Sequence, residues 1–280
     1  MKWLSFLKRR FWQQLLFSIG INSHFKGFVE AAPFQGESKG LCLPVLNCYS
    51  CPGALTSCPL GSLQYMIYSQ GRHLSLLVLG LVGSAGVLAG RWFCGHLCPF
   101  GFYQDLLKKI SSVSLKLPRF FVVVRYLILA LFIVILPLVL LKPAFCTYIC
   151  PAGTLEGGLT LVWSLNIPLG LLYFWKVGLL IVYSGFSVVI PRFFCRTTCP
   201  LGTMLGLFNR ISLYTIRVDL DRCVSCGACR TVCPSDINIS EDPGSPECIR
   251  CGNCLPVCPV SCISFTPLVK KKGACHDISL

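Results

Sequence analysis

The sequence predicts an α-helical polytopic membrane protein of about four spans, arranged as a pseudo-two-fold parallel repeat and followed by a small C-terminal α+β domain. Three observations carry this reading. The 280 residues are 54 % hydrophobic and only 13 % charged, about half the ~25 % charged content of a soluble globular domain. The segment RWFCGHLCPFGFYQDLLKKIS at 91–111 is answered by RFFCRTTCPLGTMLGLFNRIS at 192–212, each closing an apolar run. The 20 cysteines fall in tight Cys-x2-Cys and Cys-x3-Cys-Pro groups within a large apolar chain. That is metal-ligand spacing rather than the disulfide framework of a small secreted protein.

The elements follow in order. Residues 11–29 form the weakest span, interrupted by Gln13, Gln14, Asn22, His24 and Lys26. A tilted or interfacial helix suits them better than a signal peptide, given the short apolar stretch and no small-residue cleavage site. Residues 74–93 carry no charge before Arg91, 120–141 only Arg125, and 174–194 only Lys176 and Arg192 near their ends. Each matches the ~20 residues that cross a ~30 Å hydrocarbon core, and Arg125 lies near enough to its end to snorkel. Residues 157–165 are apolar but short, as a re-entrant or interfacial helix would be.

The net charge of +14 sits beside these runs, at Lys8, Arg9 and Arg10 and at Lys108, Lys109, Lys116 and Arg119. This is the positive-inside pattern rather than a nucleic-acid footprint. It predicts a multi-pass protein of the cell membrane whose N-terminus, 94–119 segment and everything after 194 are cytoplasmic. Segments 31–73 and 142–175 then face outward. Residues 1–211 form the membrane domain and 212–280 a cytoplasmic domain. Within this frame Cys58-Pro59-Leu60-Gly61-Ser62-Leu63-Gln64 matches Cys150-Pro151-Ala152-Gly153-Thr154-Leu155-Glu156, each preceding a span that ends in the first motif. Hence the expected parallel duplication about the membrane normal.

In the C-terminal domain, Cys223, Cys226, Cys229 and Cys233-Pro234 spell C-x2-C-x2-C-x3-C-P, and Cys248, Cys251, Cys254 and Cys258-Pro259 repeat it. In this spacing three thiolates of one loop hold one cubane and the fourth cysteine serves the other. One [4Fe–4S] cluster is assigned to Cys223, Cys226, Cys229 and Cys258, the second to Cys248, Cys251, Cys254 and Cys233. A zinc ribbon does not use this register. Residues 216–219 and 263–265 are short candidate strands.

In the membrane domain Cys94, Cys98, Cys195 and Cys199 form an inner quartet. Pro99 and Pro200 suit the first turn of a following helix, so Cys98 and Cys199 sit at helix N-termini, where free N–H groups stabilise an anionic thiolate site. A [4Fe–4S] cluster is preferred there over switching thiols or another metal. On the outer side Cys51, Cys58, Cys146 and Cys150 are the best four of a group that includes Cys42 and Cys48. Ala54 occupies the position where symmetry asks for a cysteine, and a disulfide using Cys42 competes with a cluster. Cys262 and Cys275 read as ordinary or free thiols. His96, Gln104 and Asp105 are open to two readings, a quinone headgroup or proton relay and an interfacial polar helix. No nucleotide-binding glycine loop, nucleophile elbow or carboxylate pair marks hydride or hydrolytic chemistry.

With Asn47-Cys48-Tyr49-Ser50-Cys51-Pro52-Gly53, three Cys-x3-Cys-Pro motifs and two ferredoxin motifs, the chain resembles the membrane-bound polyferredoxin family. That family includes the quinol-dehydrogenase membrane subunit of periplasmic nitrate reductase and the ferredoxin-type proteins of methylamine utilisation. The resemblance implies four spans, a cytoplasmic ferredoxin domain of the bacterial 2[4Fe–4S] type, and electron passage between a cytoplasmic carrier and a quinone or partner redox enzyme. The Cys146/Cys150 motif and the 42–58 cysteines depart from the nitrate-reductase type and look like anaerobe-type members. Two other roles compete: an accessory metal or thiol reductase in the maturation of a redox enzyme, and a membrane redox sensor. Sites on opposite faces of a ~30 Å core lie too far apart for one electron hop, unless the outer loops dip inward or a quinone bridges them.

Overall fold

A computed structural model describes residues 2–30, 32–69, 72–165 and 168–267; Cys275 lies outside them. The described residues are mostly helical, with a two-stranded antiparallel sheet pairing Tyr214–Val218 with Ile263–Pro267. Ile216 faces Phe265 in that register and is buried.

Among the described residues the expected four spans are not found: two helices, Phe120–Leu140 and Leu171–Val189, are long and apolar enough to cross a membrane. The reasons are local. The predicted 74–93 span ends early, because Gly90 takes φ +52° after the helix Arg72–Ala89. Its apolar part, Leu76–Ala89, falls short of the ~20 residues a crossing needs. Glycine is required at that turn twice over. Its backbone is left-handed, and a Cβ there would meet Asn209 Oδ1 at 2.4 Å. The N-terminal helix Lys2–Ile21 is long enough, but Lys8, Arg9, Arg10, Gln13 and Gln14 make it polar, and the chain breaks between Ile21 and Lys26.

One hydrophobic core unites the cysteine-bearing elements: Leu46, Leu60, Val82, Phe100, Ile133, Phe145, Phe194 and Leu201 pack into it with Cys58, Cys94, Cys98, Cys150, Cys195 and Cys199. A second, smaller core gathers Ile216, Ile239, Cys248, Cys254, Cys262 and Ile263. Buried arginines join the two. Arg91, Arg125, Arg192 and Arg250 are each no more than 1 % exposed. A guanidinium is costly at such depth unless acceptors meet its donors. Arg91 donates to Pro246 O at 2.9 Å and to Cys195 O at 3.0 Å, and Arg250 to Ala89 O, Tyr214 O and Asn209 O. Arg125 does not snorkel but pairs with Glu247, beside Cys248.

Candidate metal centres

The Cys-Pro step builds each cysteine site of residues 1–211. Proline fixes its own φ at the first helical position and holds the preceding cysteine extended. Cys98, Cys150 and Cys199 each become the N-cap of a helix, with Sγ accepting the backbone N–H of Gly101, Gly153 or Gly202 at 3.4 Å. Cys58 receives N–H groups of Leu60 and Gly61 in the same way. The glycine of Cys-Pro-x-Gly makes room for charge. A Cβ on Gly101 would lie 2.9 Å from the Arg192 guanidinium, and one on Gly202 2.9 Å from that of Arg91.

Cys94, Cys98, Cys195 and Cys199 come together, all buried. Their frame is reciprocal: Arg91, three residues before Cys94, donates to Cys195 O, and Arg192, three before Cys195, donates to Cys94 O. Gln104 locks one loop, donating to Cys195 Sγ at 3.1 Å and accepting from Phe194 N at 3.1 Å. Burial first, and then the neighbouring thiols, push Cys98 up to about 12 and Cys199 well above the usual thiol value. Such thiols remain protonated until a metal displaces the protons.

Asp105 receives Arg10 at 2.5 Å and Arg192 at 2.6 Å. Burial alone would raise its carboxyl; the two guanidinium groups outweigh that and hold it at about 2. It is therefore a fixed anion binding the N-terminal helix to the Cys195 loop. His96 stacks on Trp92 at 4.7 Å, and burial, followed by the charge of Arg10, depresses its ring to about 4. All three residues that sequence left open as quinone or proton-relay groups are thus engaged in the frame, His96 by packing, Asp105 by ion pairing and Gln104 by its bonds to the Cys195 loop.

At the second site the structure gathers a different four cysteines from those expected. Cys58, Cys146 and Cys150 line a cavity of about 380 Å³, and the fourth cysteine there is Cys48. Cys51 is buried nearby, its thiol receiving N–H groups of Gly53 and Ala54. Cys42 carries a free thiol 3.4 Å from Ser62 Oγ. The two sites adjoin: Cys98 Sγ lies 4.0 Å from the carbonyl of Leu46, a residue lining the Cys48 cavity.

In the C-terminal region Cys223, Cys226, Cys229 and Cys258 line one cavity of about 400 Å³. Cys262 joins them, with its backbone N–H 3.4 Å from Cys258 Sγ. Cys233, Cys248, Cys251 and Cys254 form the other group, each close enough for charge interaction with the rest. Among the described residues no three His, Cys, Asp or Glu side chains converge as a single metal ion requires. Thiols lining a cavity instead suit a cubane, which holds its ligands apart at its corners.

Sequence reasoning missed the roles of three kinds of residue. The arginines were visible as the repeated Arg three places before the first cysteine; Gln64 and Gln104 as a glutamine six places after Cys58 and Cys98. The Arg125–Glu247 pair left no signal, since its partners lie far apart in the chain.

The family described as a 4Fe-4S binding domain matches residues 73–118, 122–168 and 171–217, and a 4Fe-4S dicluster domain matches 215–259. Cluster-binding character therefore extends over 73–259 and is not confined to a small C-terminal domain, and the unit recurs three times rather than as a two-fold repeat. MJ0750 of Methanocaldococcus jannaschii is 32 % identical over 214 residues, 73 % of this chain and 83 % of that one. YccM of Escherichia coli, described as an electron transport protein, is 29 % identical over 59 % of this chain and 47 % of its own length. The methylamine utilization ferredoxin-type protein MauN of Paracoccus denitrificans is 28 % identical over 53 % of this chain and 50 % of its own. The chain thus matches about half the length of the last two. No solved structure matches it.

Proposed function

This chain belongs to the 4Fe–4S polyferredoxin family and is an iron–sulfur electron-transfer protein, and from that premise we propose that it links a soluble electron carrier to a membrane acceptor, a quinone or a partner redox enzyme. The two C-terminal quartets, Cys223/Cys226/Cys229/Cys258 and Cys233/Cys248/Cys251/Cys254, and the membrane quartet Cys94/Cys98/Cys195/Cys199 would hold the clusters. A [4Fe–4S] group bound by four thiolates supplies one-electron carrier chemistry, with a potential set by charge, hydrogen bonds to sulfur and burial.

The observation that carries the proposal is the buried, close-packed seam between the Cys94 loop and the Cys248 loop. At Gly95 a Cβ would stand 2.4 Å from Ile249 O and 3.4 Å from the Cys251 backbone. Only glycine allows that approach. Arg10 and Gln14 hold the Gly95 carbonyl from the opposite side, at 2.9 Å and 3.1 Å. Arg196 donates to Pro234 O and Ser235 O, directly after Cys233. The buried arginines stabilise the more negative, reduced state of whatever the thiolates bind, and the low dielectric around them makes that effect large.

Membrane residence is supported by the flanks of the two apolar helices. Leu127, Val134, Leu138, Ile181 and Val182 are all exposed. Apolar surface of that extent is unfavourable in water, whereas lipid accepts it and the helical backbone satisfies its own hydrogen bonds. Lys8, Lys108 and Lys109 border a groove of about 520 Å³ that reaches Cys233, a positive rim suited to steering an acidic carrier.

The test uses the full chain in lipid vesicles containing a quinone, with a reduced, membrane-impermeant viologen outside and protein-free vesicles as the blank. Cys94→Ala and Cys195→Ala should keep rapid bleaching of the C-terminal clusters while quinone reduction falls at least about tenfold. Quinone reduction at the wild-type rate in both variants would remove the Cys94 site from the route.

A further inference from the structure

The Cys48 cavity repeats the construction of the Cys94 site in detail. Gln64, six places after Cys58, donates to Cys146 Sγ at 3.2 Å and to Leu60 O at 3.2 Å, and accepts from Phe145 N at 2.8 Å. Gln104, six places after Cys98, makes the same three bonds, to Cys195 Sγ, to Phe100 O and from Phe194 N. In both sites the side chain six places beyond a Cys-Pro cap clamps the loop that brings in the other pair's first cysteine.

The remaining Cys-Pro cap of the cavity extends the rule. Six places after Cys150 stands Glu156, and its carboxylate accepts the backbone N–H of Cys48 at 2.5 Å. Cys48 thereby occupies the first-cysteine place that Ala54 leaves vacant in the sequence register. Its sulfur points inward: a Cβ on Gly153, at the N-terminus of the Cys150 helix, would lie 3.7 Å from Cys48 Sγ and 3.9 Å from Cys150 Sγ. The cavity, about 380 Å³, is also nearly the size of the one lined by Cys223, Cys226, Cys229 and Cys258, about 400 Å³. Lys176 adds the only cation among its lining residues, donating to Cys146 O at 3.2 Å.

We propose that this cavity is a further [4Fe–4S] site, with Cys48, Cys58, Cys146 and Cys150 as its ligands and Gln64 as the N–H donor to its sulfur. The proposal rests on the reading of the chain as an iron–sulfur conductor. It extends the conducting set beyond the Cys94 site, to which the Leu46 carbonyl against Cys98 joins it. Cys51 has no part in it.

Iron and acid-labile sulfide in the full chain, purified without oxygen, decide the matter. Wild type should hold about sixteen irons, from four four-iron clusters, Cys48→Ala about twelve and Cys51→Ala about sixteen. Full iron in Cys48→Ala, or loss in Cys51→Ala instead, overturns the proposed ligand set. Cys94→Ala separates the two readings. If it loses about four irons while Cys48→Ala loses none, only the further site falls; if neither loses iron, the conducting role of the membrane part falls with it. Gln64→Leu guards against a variant that does not fold, because it leaves all four thiols in place. It should retain full iron and lower the midpoint potential of one cluster, and unchanged potentials throughout would count against the site.

Discussion

At the scale of single residues, the chemistry lies less in the cysteines than in what holds them. A Cys-Pro step gives a capped thiol, but the cap alone leaves the partner loop free to drift. Gln104 removes that freedom by gripping both Phe194 N and Cys195 Sγ. An N–H donated to sulfur favours the more negative oxidation state, so its removal should lower a potential without emptying a site. Gln104→Leu should keep its iron, while one midpoint potential in an anaerobic titration falls by on the order of tens of millivolts. About 1 kcal/mol of hydrogen-bond energy corresponds to roughly 40 mV for one electron. The glutamine was present in the sequence, but at one residue in a short helix it could not be told from a solvent-facing polar group. Its partner, Cys195, lies 91 residues away.

At the scale of elements, close approach is the governing constraint. Gly95 sits where the Cys94 loop meets the Cys248 loop, whereas Gly80 lies on an open helix face, where a Cβ would meet nothing within 4 Å. Alanine at Gly95 should therefore cost roughly 1–3 kcal/mol through overpacking. At Gly80 it should be neutral or stabilise by up to about 1 kcal/mol through helix propensity. Melting the two variants side by side under anaerobic conditions measures the difference; equal midpoints would mean the seam is looser than described. The strand pair and the Cys-Pro helix starts were legible from sequence because they depend on neighbours in the chain. The helix stop at Gly90 was not, since hydropathy averages across a single left-handed residue and the demand for it comes from Asn209 and Arg250.

At the scale of the whole molecule, the chain is one hydrophobic core bolted to a smaller one by buried arginines, with Cys48 rather than Cys51 in the second cavity and Cys262 beside Cys258 in the Cys223 group. The three-fold recurrence of the family unit was signalled by the three Cys-x3-Cys-Pro motifs, whereas the nearness of the Cys94 and Cys48 sites was illegible, because it depends on how distant segments pack. Arg125 shows why. Read alone in an apolar helix it belongs at a lipid headgroup; paired with Glu247 it joins a candidate membrane helix to the Cys248 loop. Removing one partner strands a buried charge, so Arg125→Met should destabilise by roughly 3–5 kcal/mol and release iron from the C-terminal quartets on mild heating. Arg125→Met with Glu247→Gln should recover most of the loss, as a double-mutant cycle would register.

On the proposed route, the Cys94 site and the Cys248 quartet hold clusters close enough to exchange electrons across the Gly95 seam. Electron paramagnetic resonance of the fully reduced chain tests it directly, because neighbouring paramagnets broaden and split each other's signals. The predicted result is a coupled spectrum that simplifies to narrower, independent signals in Cys94→Ala. A wild-type spectrum that is already the plain sum of isolated clusters, with nothing lost in Cys94→Ala, would contradict it.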